Sequence, residues 1–266
     1  MEGCFAEFPE RTIDVGIAEE HAFTMAGSMA ISGIHPIICI YTTFLQRSYD
    51  ELLHDCARLN ADMTLLIDRA GLVGKDGETH MGIYDEAFLK TIPNVSLYMP
   101  STLEEMKATI EYSMEKGHGI VGIRYPHTLV KDDGEPIQRI EIKPWMTLSE
   151  GNNKEAVISV GPKGRELLNE LEAKGYSGSR IQALKLFPLP DEEIKKLAKY
   201  EKIYVYDSYG TKNGFVEALG NSLIENNYKG EFKVFAVPNT FVQHSSIPEQ
   251  EELFGLDIPT VLKEIL

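Results

Sequence analysis

Three short runs of the 266-residue sequence gather side chains that could do chemistry. The first is Asp14-Val15-Gly16-Ile17-Ala18-Glu19-Glu20-His21, where Glu19 opens a helical pattern after a short apolar stretch. A carboxyl group there could hold or pass a proton. A helix dipole alone also favours an acid at that position, so place and type do not make it catalytic by themselves. The second is Tyr41-Thr42-Thr43-Phe44-Leu45-Gln46-Arg47. Its guanidinium could fork onto a carboxylate or phosphate, or simply be solvated or paired. The third runs from Asp68 to His80 and presents Arg69, Asp76 and His80 among Gly71, Gly74 and Gly77. A glycine-rich stretch with one histidine is more often a turn than a site. All three runs fall where the sequence predicts strand ends, and ligands of open α/β sheets collect beyond the carboxyl ends of the strands.

Those strands are read from apolar runs at 37–42, 63–68, 95–99 and 120–123, short and largely unalternating. That pattern suits a parallel sheet covered on both faces. Helices are expected between them at 19–32, 44–59 and 102–115, the last opened by a capping-box pattern at Ser101-Thr102-Leu103-Glu104. Residues 129–153 break the rhythm with Gly134, Pro136, Pro144 and Gly151, and read as a linker with room for one strand. Alternation then resumes, with strands expected at 156–160, 180–186, 203–206 and 232–237. Helices are expected at 164–174, 191–199, 213–226 and 259–266. The expectation is α/β: two consecutive open, mostly parallel sheets flanked by helices, in domains of 1–128 and 154–266.

Composition narrows the partners. Hydrophobic residues make up 43% and charged residues 25%, ordinary globular values. Lys and Arg number 26 against 41 Asp and Glu, a net charge of −15, and residues 1–128 hold 9 basic against 19 acidic side chains. Such a surface repels phosphate backbones and anionic lipid, so neither nucleic acid nor membrane is expected as a partner. A small anionic substrate would need a local basic pocket. Cys4, Cys39 and Cys56 form no CxxC pair, which fits a reducing cytoplasm and offers no metal-binding or disulfide framework.

The residues from Arg11 to Pro126 carry a resemblance. RTIDVGIAEEHAFTMAGSMA, then IYTTFLQRSYDELLHDCA, IDRAGLVGKDGETHMGIYDEAFLKTIPN and GIRYP stand at constant spacing. Together they closely resemble the 1-deoxy-D-xylulose-5-phosphate synthases, thiamine-diphosphate enzymes of the transketolase superfamily. The likeness continues more loosely to the C-terminus. It implies a pyrimidine-binding domain followed by a transketolase C-terminal domain. It also implies transfer from pyruvate to glyceraldehyde 3-phosphate with release of CO2, in isoprenoid and thiamine biosynthesis, by a cytoplasmic homodimer.

By resemblance, Glu19 matches the glutamate that hydrogen-bonds the aminopyrimidine of the cofactor. A carboxyl group on the ring nitrogen favours the imino tautomer, whose exocyclic nitrogen can take up the thiazolium C2 proton. Tyr41 and Phe44 match positions contacting that end of the cofactor. Arg47, Arg69 and Arg124 match anion-binding arginines for the two anionic substrates. Asp76 and His80 match loop residues that orient substrate and move protons. His21 follows the glutamate in the family too, and a structural hydrogen bond would account for it equally.

The family also binds the cofactor diphosphate through a divalent metal, magnesium, on a Gly-Asp-Gly motif in a separate domain. No such motif occurs here, so the resemblance implies that this domain must come from elsewhere. It also implies a first strand and helix preceding the Phe8-Pro9-Glu10-Arg11 segment. Three origins are compatible with that: a piece of a longer synthase, the second subunit of a split enzyme, or a decayed or repurposed fragment that binds or assembles without catalysing. The second half departs from the family at Tyr206 to Gly214, at Ala236-Val237-Pro238-Asn239 and at His244-Ser245-Ser246. RYPHT also replaces RYPRG, which leaves acceptor specificity, and a transketolase-type ketol transfer, open.

Overall fold

Apolar runs without alternation fold here into strands covered on both faces, and the computed structural model describes residues 2–127, 137–151 and 154–266. The first half holds α1 (Glu2–Glu7), α2 (Glu19–Ile31), β1 (Ile37–Tyr41), α3 (Thr42–Leu45), α4 (Tyr49–Glu51) and β2 (Met63–Asp68). It continues with α5 (Asp85–Leu89), β3 (Val95–Tyr98), α6 (Leu103–Ser113) and β4 (Ile120–Tyr125). After β5 (Trp145–Ser149) come β6 (Glu155–Val160), α7 (Gly161–Ala173), β7 (Ser179–Ala183), β8 (Lys185–Phe187) and α8 (Asp191–Lys196). The last elements are β9 (Lys202–Thr211), α9 (Phe215–Glu225), β10 (Glu231–Val237), α10 (Ile247–Leu253) and α11 (Ile258–Ile265).

Two five-stranded sheets result, ordered β1-β2-β4-β3-β8 and β10-β9-β6-β7-β5. Every pairing is parallel except those of β8 on β3 and of β5 on β7. This is the doubly flanked α/β architecture expected. β2 and β4 sit inside their sheet and are almost wholly buried, whereas β1 is an edge strand and alternates buried with exposed. One apolar core runs from α2 and β1 through β3 to β6, β9 and α9. Among the described residues no helix is long and apolar enough to cross a membrane.

Three local expectations change. The helix expected at 44–59 is broken into α3, a 3-10 turn, α4, a π turn over Leu52–Cys56 and a second 3-10 turn. Burial governs there: Leu45, Leu52 and Cys56 all pack beneath α2, and Cys56 Sγ donates to Phe23 O over 3.4 Å. Asn60, with φ of 53°, ends the segment in the left-handed region. The N-cap of α6 is Thr102, not Ser101: its hydroxyl accepts from Glu105 N, while Glu105 Oε2 accepts from Ser101 N. The strand expected at 180–186 is two strands. The chain leaves the second sheet after Ala183 and pairs Phe187 with Leu97 in the first. Of the linker at 129–153, residues 129–136 and 152–153 lie outside the described residues, as does the boundary at 128; its later part supplies β5.

Candidate functional site

β1, β2 and β4 run parallel, so their carboxyl ends lie side by side. A cleft of about 430 Å³ opens there, lined by Gly16, Glu19, Tyr41, Phe44, Arg47 and Tyr125 among others. Tyr41, Phe44 and Arg47 arrive by a short route from β1, whereas among the described residues no strand precedes Glu19, contrary to the strand end expected there. Tyr41 is the last residue of β1, Phe44 lies one turn on in α3, and Arg47 follows in the 3-10 turn. Glu19 is the first residue of α2, with its side chain 14% exposed. Its contact is Arg47, whose NH1 stands 3.3–3.4 Å from both carboxylate oxygens.

The loop leaving β2 brings the remaining residues to the same rim. Arg69 has φ of 62° and its Cζ lies 4.3 Å from the centroid of the Tyr41 ring. Its NH2 donates to Tyr41 Oη over 3.0 Å, and its NH1 pairs with Asp76. Arg69 Nε is buried without a partner, an orphan donor at the edge of the site. The Tyr41 and Phe44 rings stack at 5.9 Å and 16°, and His80 meets Phe44 edge-on at 5.5 Å. Thr79 Oγ1 lies 3.0 Å from His80 Nδ1. Tyr41, Phe44, Arg69, Asp76 and His80 therefore form one chain of contacts, and the Glu19–Arg47 pair shares the cleft with Tyr41 and Phe44. His21 lies on the exposed side of α2, away from it.

Arg124 is the correction. The sequence reading placed it among the anion-binding arginines, but it is wholly buried inside β4. Its Nε and NH2 fork onto Asp85 at 2.7 and 2.8 Å, and NH1 pairs with Glu86. NH2 also donates to Gly82 O and Tyr209 O. Every edge of the guanidinium is thus engaged inside the protein, and none faces the cleft. Asp85, Glu86 and Asp207 are the residues that sequence reasoning missed. The signal was present: Arg124 in IVGIRY and Asp207 in IYVYDSY are lone charges in apolar strands, and such charges require internal partners.

The second half holds the loop from below. Gly71 and Gly82 exchange backbone hydrogen bonds at the loop's base. Gly71 has φ of 89°, and a Cβ there would fall 2.6 Å from the Tyr209 ring. Gly74 N donates to Gln250 Oε1 over 3.1 Å, and Gln250 Nε2 donates to Gln243 O over 3.0 Å. Gln250 is 1% exposed. Gln250→Leu would leave the buried Gly74 N–H unpaired and remove the donor to Gln243 O, at a cost of about 1–3 kcal/mol. The expected result is a lower thermal midpoint with faster proteolysis of the 69–82 loop; an unchanged midpoint would show that water replaces the amide.

Residues 3–132 match the transketolase pyrimidine-binding domain family. The 1-deoxy-D-xylulose-5-phosphate synthase of Shouchella clausii is 37% identical over 257 residues, covering 94% of this chain and 41% of that protein. The synthase of the same name from Thermus thermophilus is 37% identical over 262 residues, covering 97% and 42%. The chain therefore spans about two fifths of the length of these relatives. Among solved structures, a split-gene transketolase described as an inactive beta4 tetramer aligns with a TM-score of 0.82 at 22% identity. That alignment covers 98% of this chain and 85% of the other. The transketolase of Campylobacter jejuni aligns with a TM-score of 0.74 at 17% identity, over 95% and 39%. At such identities the structural likenesses establish the fold.

Proposed function

The chain belongs to the transketolase superfamily, on the side of the 1-deoxy-D-xylulose-5-phosphate synthases, and from this premise we propose that it is the pyrimidine-side half of a thiamine-diphosphate-dependent transferase. One observation carries the proposal: the Glu19 carboxyl faces a cleft walled by the Tyr41 and Phe44 rings at the carboxyl edge of a parallel sheet. A carboxyl with one long contact beside two flat apolar walls fits an aminopyrimidine. The diphosphate and its divalent metal are assigned to a separate domain or subunit, the part of the relatives' length that this chain does not span. When bound, the cofactor supplies an acidic carbon and an electron sink.

The residues here do the rest. Glu19 bonds the pyrimidine ring nitrogen and keeps a proton there. Tyr41 and Phe44 grip the ring and exclude water, which strengthens the Glu19 bond. Arg47 and Arg69 receive the carboxylate of pyruvate and the phosphate of glyceraldehyde 3-phosphate, exchanging their contacts with Glu19 and Asp76 for substrate oxygens. His80, held beside Phe44, stands where a proton could pass to substrate.

The test is reconstitution: this chain is mixed with a chain carrying a thiamine-diphosphate-binding domain, and pyruvate-dependent CO2 release is followed. Release with deoxyxylulose phosphate as product supports the reading; no release from any mixture of folded chains overturns it. The fold likeness to a split-gene transketolase favours a second reading, ketol transfer from a ketose phosphate. Product analysis with pyruvate against a ketose phosphate donor separates the two. Light scattering on the chain alone tests the third, an assembly module that does not catalyse.

A further inference from the structure

The buried cluster behind the site has an arithmetic problem. Asp85, Glu86 and Asp207 all lie wholly inside the protein, and Arg124 is the cation that faces them. Fully ionised, the four side chains would carry a net −2 in a region sealed from water, at a prohibitive desolvation cost. The hydrogen bonds show which acids are satisfied as anions. Both oxygens of Asp85 accept from Arg124. Glu86 Oε1 accepts from Arg124 and Oε2 from Phe215 N at the start of α9, over 2.9 Å. Asp207 Oδ1 accepts from Tyr209 N over 3.0 Å, but Asp207 Oδ2 is buried with no N–H or hydroxyl donor. The Glu86 carboxyl lies within hydrogen-bonding reach of the Asp207 side chain. One proton placed on Glu86 supplies the missing donor and removes one negative charge.

We infer that Glu86 and Asp207 share one proton across the joint between the two sheets, and that this pair positions the Arg69–His80 loop. The connection to the loop is short. Asp207 fixes the Tyr209 backbone, and the Tyr209 ring lies against Gly71, two residues after Arg69. Tyr209 O in turn accepts from Arg124, whose NH2 also donates to Gly82 at the other end of the loop. Gly210 and Gly214 allow this contact, since a Cβ at either would fall 2.3 or 2.4 Å from Glu86 Oε2. Both acids are positioning residues; neither lines the cleft. Their importance for catalysis rests on the proposed function, but the shared proton does not.

Burial, then the negative charge of Asp207, pushes the Glu86 carboxyl up to about 8, against the pull of Arg124 and Phe215 N–H. Asp207 is also raised by burial, although Arg124 works against that. Asp85 is raised by burial as well, again opposed by Arg124. Around the cluster, Lys90, just past the end of α5, pairs with Glu217 of α9. An unfolded glutamate releases its proton near ~4.3. Between that value and about 8 the folded chain therefore holds one more proton than the unfolded chain. Stability from this pair is complete below the lower value and is lost as pH rises through the upper one.

The experiment uses the chain alone, so its failure and the failure of the functional reading are separable. Unfolding midpoints and hydrogen exchange of the 69–82 amides are measured from pH 5.5 to 9.5 in the parent and in Glu86→Gln. The glutamine amide donates to Asp207 without titrating. The parent is expected to lose midpoint steadily as pH rises, with roughly tenfold looser loop protection at pH 9 than at pH 7 after correction for intrinsic rates. Glu86→Gln should hold both nearly flat. Asp207→Asn, which donates to an ionised Glu86, should flatten them too and serves if the first variant folds poorly. Infrared difference spectra at pH 6 should show a protonated-carboxyl band in the parent that Glu86→Gln lacks. Parallel pH profiles in parent and variants, or a carboxylate band alone, would overturn the inference.

Discussion

Glu19→Gln is expected to abolish turnover in the reconstituted enzyme, by roughly 10²–10⁴-fold, the contribution typical of a positioned acid–base group. The substitution keeps the shape of the side chain and removes only its capacity to hold and return a proton. It should leave the fold unchanged. Glu19 opens α2 at the rim of the cleft, and its contact is a half-exposed Arg47 at 3.3 Å. Such a pair contributes about 0–1 kcal/mol. The thermal midpoint of the variant should therefore stay close to that of the parent while CO2 release disappears. Cofactor titration adds a second readout: the glutamine can still bond the ring, so binding should weaken far less than turnover. Retained turnover in an otherwise active mixture would remove Glu19 from its role. A large fall in midpoint would show that it serves the fold instead.

The candidate site was legible because its residues fall in three short runs of the chain. Glu19 opens a helix, Tyr41 to Arg47 leave one strand and Asp68 to His80 leave the next, so local pattern and strand-end geometry sufficed to group them. Continuous apolar runs marked β1, β2 and β10 almost to the residue, although of the three only β2, inside its sheet, is buried on both faces. Local pattern failed where tertiary packing overrode local preference. No local signal announces that a seven-residue stretch will change sheets at Leu184, or that three buried side chains will break a helix between Leu45 and Cys56. Arg124 shows the same limit in the site itself. Its partners Asp85, Glu86 and Asp207 lie 38 to 83 residues away, so the sequence could show a charged residue at a strand end but not which side of the sheet would claim it.

That misassigned arginine yields the largest expected effect on stability. Arg124→Met should cost about 3–5 kcal/mol, the usual result of removing one partner from a buried ion pair. Methionine fills much of the volume, so the loss is electrostatic and not a cavity effect. It strips both hydrogen bonds from Asp85, one from Glu86 and one each from Gly82 O and Tyr209 O. Against a total stability of about 5–15 kcal/mol this is a large fraction, visible directly in urea titrations. The deficit should depend on pH in a defined direction. Without the guanidinium, burial raises the Asp85 carboxyl further, and the folded variant takes up protons that the unfolded chain does not hold. Stability of the variant relative to the parent should then recover as pH falls towards the ordinary carboxylate range. Arg124→Lys keeps the charge but loses the fork, and should fall between parent and methionine variant, which gives a foldable comparison if the latter is too unstable. A substrate-binding Arg124 would give the opposite pattern: normal unfolding in both variants, a raised KM for an anionic substrate, and no recovery at low pH.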